Sequence, residues 1–152
     1  EAVLSETKRV KGLDGNDKMG KSLGNAIFLN DSEETITKKI MAAVTDSNKI
    51  KKDDPANPDI CMVYYYHNLV NNKDNIKTVC QECKQGKRGC VQCKKELINA
   101  MNEFLKPIKD KRKYYEEHPE IIKEILDKGT KKAQEQAISQ MKNVKKAMRI
   151  DY

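Results

Sequence analysis

The chain has 152 residues, 35% charged and 38% hydrophobic, with a net charge of +7 and a pI of about 9.1. No apolar run approaches the roughly 18 to 20 residues of a membrane-spanning helix, which excludes a span of that kind. The balance suits amphipathic helices with thin apolar stripes, and the basic excess fits either a polyanionic partner such as nucleic acid or a solvated Lys-rich surface.

The first twelve residues are polar and carry no pattern. The chain opens on Glu1-Ala2-Val3, without an initiator Met or a signal or transit pattern, and reads as a fragment of a longer protein. Gly12, Gly15, Gly20 and Gly24, with Asp14, Asn16 and Asn25 between them, predict a loop over 13–30. Ser32 is an N-cap with Glu33 and Glu34 in the first turn, and Ile36, Ile40 and Val44 follow at helical spacing. A Lys-, Asp-, Asn- and Pro-rich loop covers about 46–57. Asn57-Pro58 then starts a helix with Ile60, Cys61, Val63, Tyr64, Leu69 and Val70 largely buried, although the triple-Tyr segment also has strand propensity.

A short helix over 74–85 ends at Gly86. A long helix from Val91 carries Leu97, Ile98, Met101, Phe104, Leu105 and Ile108 on one stripe, and Pro107 is expected to kink or end it. Pro119 starts a short helix over 119–128 that Gly129 ends. Thr130 caps the last helix, where Ala133, Ala137, Met141, Val144 and Met148 share a face. The fold class expected is all-α, with helices joined by short turns.

The sharpest segment is Gly12-Leu13-Asp14-Gly15, followed by Lys18-Met19-Gly20-Lys21-Ser22-Leu23-Gly24-Asn25. Two Lys three apart on a Gly-bracketed loop can close on one phosphate from two directions, and loop glycines let backbone N–H groups approach an anion. Ser22 adds a hydroxyl donor, and Met19 is expected to pack inward and anchor the loop. Without its surroundings the same pattern would fit a mobile basic surface loop.

Cys80, Cys83, Cys90 and Cys93 give C-x₂-C-x₆-C-x₂-C, four of the five cysteines within fourteen residues. Residues i and i+3 share a helix face, so two such pairs across a Gly-containing turn could converge on one ion. Four thiolates suit tetrahedral zinc or an iron–sulfur cluster, and the spacer of six is shorter than the roughly 15–20 of two-knuckle zinc sites. Lys84, Lys87 and Arg88 beside them are RNA contact candidates. Lys94 and Lys95 add to that charge, and Lys106, Lys109, Lys111, Arg112 and Lys113 form a second basic run. His67 and His118 are not expected to be ligands.

The extended Lys18–Asn25 segment resembles the KMSKS signature of class I aminoacyl-tRNA synthetases. Segments downstream of it resemble those of the tryptophanyl-tRNA synthetases: Ala26 to Leu29, Lys38 to Met41, Thr45-Asp46, Val63 to His67, Leu105-Lys106-Pro107-Ile108 with Arg112, and Gly129-Thr130 with Ala133, Ala137, Val144, Ala147 and Met148. The resemblance extends over nearly the whole chain. It departs at Gly20, where the family usually has Ser.

The resemblance implies a ligase in which tryptophan attacks the α-phosphate of ATP, carried with Mg2+, and the activated group passes to tRNA(Trp). Lys18 and Lys21 would be catalytic, stabilising the departing pyrophosphate, and Lys18, Met19, Gly20, Lys21 and Ser22 would bind ATP. Residues 1–30 would end a Rossmann-like catalytic domain, and 31–152 would be a helical C-terminal bundle contacting the anticodon. No HIGH-like signature is present, so the fragment alone is expected to be inactive. A cytoplasmic homodimer is expected for the whole enzyme. Some family members carry a 4Fe-4S cluster on a distant Cys followed by C-x₆-C-x₂-C. That pattern implies Cys61, Cys83, Cys90 and Cys93 here, with Cys80 in place of Cys61 in a zinc alternative. Two other readings are a non-enzymatic, metal-stabilised RNA-binding module and a tyrosyl-tRNA synthetase fragment.

Overall fold

The computed structural model describes residues 9–150. Five α-helices occur in order: α1 Glu33–Ala42, α2 Met62–Val70, α3 Lys73–Lys84, α4 Cys90–Glu117 and α5 Pro119–Ala147, with single 3-10 turns at Lys21–Leu23 and Pro58–Ile60. No strand occurs among the described residues, in keeping with an all-α chain. The chain forms two compact units, one through Lys109 and one from Asp110 onward.

The first unit holds the core. Ile36 and Ile40 of α1, Val63 and Tyr66 of α2, and Leu97, Ile98, Met101 and Leu105 of α4 close on Leu13 and Ala43. Each helix contributes residues three or four apart, the spacing that keeps side chains on one face. Met19, Ile27, Tyr64 and Tyr65 pack against this cluster, so the loop over 13–30 is bound to the helices and Met19 does turn inward. Tyr66 Oη donates to the Lys11 carbonyl at 2.6 Å, tying the segment before the loop to α2.

The helix starts follow their caps. Ser32 Oγ accepts the Thr35 N–H, and Asn72 Oδ1 accepts the Asn75 N–H at the start of α3. Several expected boundaries are corrected. Val44 lies outside α1, because Ala43 turns to extended backbone (ψ 142°). Val44 instead links two segments, its N–H donating to the Leu13 carbonyl and its carbonyl accepting the Met62 N–H. Asn57-Pro58 starts only a 3-10 turn, so α2 begins at Met62 and Ile60 is half exposed.

Pro107 does not end its helix, and α4 continues to Glu117. The missing proline donor costs one intrahelical bond, and the good helix formers around Pro107 carry the helix past it. Gly129 likewise lies inside α5, which runs unbroken from Pro119 to Ala147, so Thr130 caps nothing. Glycine weakens a helix interior by only about 1 kcal/mol relative to alanine, too little to stop a helix with strong formers on both sides. No residue of α5 is buried.

Gly86 has φ +72°, and a Cβ there would stand 2.1 Å from the Asp53 carbonyl oxygen. The loop over 46–57 packs directly on this turn, with the Ala56 N–H donating to the Cys83 carbonyl at 3.2 Å. Gly86→Ala should therefore lower stability by about 1–3 kcal/mol, whereas Gly129→Ala, in open space, should raise it by about 0.5–1 kcal/mol. Thermal unfolding followed by circular dichroism checks both signs.

Candidate functional site

The Lys18–Leu23 segment is an exposed rim whose shape is set from beneath. Asn25 is 5% exposed, and its side chain does three things at once. Its Oδ1 accepts the Gly20 N–H at 2.9 Å, and its amide donates to Asp14 Oδ1 at 2.9 Å and to the Lys18 carbonyl at 3.2 Å. The Leu13 N–H donates to the Asn25 carbonyl, and the Met19 N–H to the Val10 carbonyl. A Cβ at Gly12 would stand 2.1 Å from the Asn25 amide nitrogen, so only glycine leaves room for that side chain. Hydrogen bonds hold the Asp14 carboxyl below its usual range, chiefly the one from Asn25.

Lys18, Lys21 and Ser22 sit exposed above this frame. Together with Met19, Gly20 and Leu23 they line one open groove. Neither lysine makes an ion pair among the described residues. Two mobile ammonium groups over a fixed backbone can follow charge as it develops on a phosphate. At Gly20 the backbone is extended (φ −145°) and a Cβ would meet only the flexible Leu23 side chain, at 3.2 Å. A serine fits there after a small shift of Leu23.

The cysteines separate into two groups. Cys61, before α2, Cys83, at the end of α3, and Cys90 and Cys93, opening α4, line one enclosed cavity of about 20 Å3 with Thr45, Val63, Tyr64, Val79 and Arg88. Cys80 does not line it. Burial pushes the Cys93 thiol up to about 12 and raises Cys83. Among the described residues, no three His, Cys, Asp or Glu side chains stand together closely enough to hold a metal ion as they are. The cavity has room for about one water-sized body.

Arg88 corrects an expectation. It is 8% exposed, and its guanidinium pairs with Glu82 of α3 at 2.7 Å and with Glu96 of α4. A buried, doubly paired guanidinium cannot also meet an RNA phosphate. Lys84 and Lys87, on either side of it, are exposed. His67, 1% exposed, accepts from the Asn71 amide at Nδ1 (2.5 Å). Its proton is therefore assigned to Nε2, which lies 3.2 Å from the Cys93 carbonyl and 3.5 Å from Cys93 Sγ. Burial lowers its pKa, which favours the neutral ring.

Sequence reasoning gave Asn25 and Asp46 no role of their own beyond loop chemistry and a family-like dipeptide. Asp46 is 6% exposed, and its carboxylate accepts the Asn48 N–H at 2.8 Å and the Asn57 N–H at 2.7 Å. It closes the loop over 46–57 from within, as an Asx turn with a second, long-range bond. The spacing Asp46-Ser47-Asn48 is the only local signal of it.

Residues 3–106 match the family described as tRNA synthetases class I (W and Y). The chain is 40% identical to the tryptophan–tRNA ligase of Aquifex aeolicus, over 99% of this chain and 38% of that protein. It is 43% identical to the tryptophan–tRNA ligase of Borreliella burgdorferi, over 95% of this chain and 42% of that one. A crystal structure of Campylobacter jejuni tryptophanyl-tRNA synthetase, complexed with ADP and tryptophan, superposes with a TM-score of 0.85 at 31% identity, over 97% of this chain and 45% of that chain. The chain thus spans about two fifths of the length of these relatives.

The Asn57 and Asn48 N–H groups hold the Asp46 carboxyl below its ordinary value of 3.8. A carboxylate with a lowered folded pKa stabilises above its unfolded pKa, and that stability is lost as pH falls through the folded value. The excess melting temperature of the wild-type chain over Asp46→Asn should be constant above about pH 5 and shrink below 3.8. Melting curves across that range test it.

Proposed function

Since the chain belongs to the class I tRNA synthetases of the tryptophan and tyrosine type, we propose that it works as part of a tryptophan–tRNA ligase. The tryptophan carboxylate attacks the α-phosphate of ATP, the bond to the β-phosphate breaks, and pyrophosphate leaves. The tryptophanyl group of the adenylate then passes to a hydroxyl of tRNA(Trp), the acyl–phosphate bond breaks, and AMP leaves. Residues 1–30 end the catalytic domain, and 31–152 form the helical tRNA-binding region, which contacts the anticodon and adjoins the dimer partner in the cytoplasm. The fragment is inactive without the rest of the enzyme.

The observation that carries this reading is the loop from Lys18 to Ser22, with two exposed lysines over a backbone that Asn25 holds from below. Lys18 and Lys21 stabilise negative charge on the leaving pyrophosphate, and Met19 seats the loop in the core. Mg2+ travels with ATP and shares that charge. Similarity to tryptophan–tRNA ligases over nearly the whole chain supports tryptophan over tyrosine, and it supports a ligase over a free-standing RNA-binding module. Lys84 and Lys87 remain the RNA contacts near the cysteines.

The cysteine cavity fits a metal centre by the kind of its donors, four thiols from three elements facing one space. Cys61, Cys83, Cys90 and Cys93 would hold a 4Fe-4S cluster after their side chains spread apart. Such a group would cross-link the starts of α2 and α4 to the end of α3. The water-sized cavity favours a second reading, a single zinc ion, but on Cys61, Cys83, Cys90 and Cys93 and not on the set with Cys80 in place of Cys61, because Cys80 does not line the cavity.

Lys21→Ala or Lys18→Ala in the full-length enzyme should slow tryptophan-dependent ATP–pyrophosphate exchange by about 10²–10³, while Gly20→Ser should retain it. Unchanged exchange in Lys21→Ala would sink the assignment. Metal analysis of anaerobically purified protein decides the second site. Iron with sulfide supports the cluster, zinc alone supports the single ion, and neither metal leaves four ordinary thiols.

A further inference from the structure

His67 belongs neither to the phosphate loop nor to the cysteine donor set, yet its ring is 1% exposed and held at both edges. Asn71, at the C-terminal end of α2, donates its side-chain amide to Nδ1 at 2.5 Å and its backbone N–H to the His67 carbonyl at 2.9 Å. At the other edge Nε2 lies 3.2 Å from the Cys93 carbonyl and 3.5 Å from Cys93 Sγ. A carbonyl can only accept, so it places the ring proton on Nε2, as the Asn71 amide does from the opposite side. The N–H is therefore shared between the oxygen and the sulfur of one cysteine.

The two acceptors gain unequally. A helical carbonyl already accepts the N–H four residues on, and Cys93 lies in the first turns of α4. A thiol sulfur is a weak acceptor, and burial opposes charge on it. A thiolate is an ionised acceptor, and hydrogen bonds to ionised groups are roughly twice as strong as those between neutral ones. The thiolate is also the form in which cysteine binds a metal. A buried N–H beside Sγ is thus worth most when Cys93 is a metal ligand.

His67 is placed to assist the donor set without joining it. Cys61, Cys83, Cys90 and Cys93 line the cysteine cavity and His67 does not. With Asn71 and Arg88 it lines instead a polar groove of about 310 Å3. Its ring touches one member of the set from outside. Hydrogen bonds made from outside a donor set orient its members and tune the metal. In this way α2 brings two groups to one centre, with Cys61 just before its first residue and His67 near its end.

We propose that His67 is a positioning residue for the metal centre, its Nε2–H hydrogen-bonding the Cys93 sulfur and holding it as the thiolate that binds the metal. The inference rests on the metal-centre reading above. It applies to either metal, since zinc and an iron–sulfur cluster both take the thiolate. On a cluster the bond favours the reduced state, whose extra electron adds negative charge at the sulfurs.

The test uses the anaerobically purified full-length protein, with folding followed by circular dichroism. His67→Phe keeps a ring and removes the donor, and His67→Gln restores an N–H. If the wild type holds iron and sulfide, redox titration followed by visible absorption should show a lower midpoint potential in His67→Phe and a value nearer wild type in His67→Gln. If it holds zinc alone, chelator competition should show about tenfold to hundredfold weaker binding in His67→Phe, with His67→Gln again nearer wild type. Asn71→Ala releases the far edge of the ring and should move the same readout in the same direction by less. Should His67→Phe not fold, an unmoved readout in Asn71→Ala overturns the proposal. A folded His67→Phe with wild-type potential or affinity overturns it too, while the metal centre stands on the wild-type metal content. Equal losses in His67→Phe and His67→Gln would assign the ring to packing alone. A wild type with neither metal overturns the metal centre and this bond with it.

Discussion

The arrangement of α3 and α4 turns on one buried cation. Arg88 sits on the short turn between the two helices and pairs with one carboxylate from each, Glu82 before it and Glu96 after it. A guanidinium presents a planar fork of donors, so it can engage two carboxylates in fixed directions. The pairing sets how the end of α3 meets the start of α4, and three of the cavity cysteines lie within that stretch. The same side chain is a shared wall, with thiols on one side and a polar groove on the other.

Below that turn, the loop over 46–57 acts as a brace. Asp46 closes it internally, and the Asp53 carbonyl lies against Gly86. The brace joins α1 to α2 in sequence and touches the α3–α4 turn in space. The segment bearing Lys18 and Lys21 connects to the same core through Leu13 and Met19. The two candidate sites therefore belong to one packed unit, and neither is a free appendage of it.

Most of the helical plan was legible. Ser32 caps α1 as its position predicts, and of the apolar stripe of α4 Leu97, Ile98, Met101 and Leu105 become buried while Phe104 and Ile108 stay exposed. The expectations that failed were those placed on single punctuating residues. Pro107 costs one hydrogen bond and Gly129 costs backbone entropy, and long helices override a local cost. Ala43 breaks α1 without any sequence signal, because the Leu13 and Met62 backbones recruit Val44 instead. The candidate site divides in the same way. The two lysines and the cysteine spacing can be read from residue type, since exposure and chemistry suffice. Arg88 was misread because its two carboxylates lie six residues before and eight after it, and only the fold shows that they converge.

Gly12 and Asn25 carry a consequence of another kind. A Cβ at position 12 would occupy the place of the Asn25 amide, and that amide is what fixes the backbone at Gly20 and Lys18. Position 12 is thus bound to position 25 in one direction. A side chain at 12 becomes acceptable only in a lineage that has already dispensed with Asn25, and a lineage that keeps Asn25 cannot leave glycine at 12. Change at position 12 is closed for as long as Asn25 stays, although twelve residues lie between the two positions in the chain.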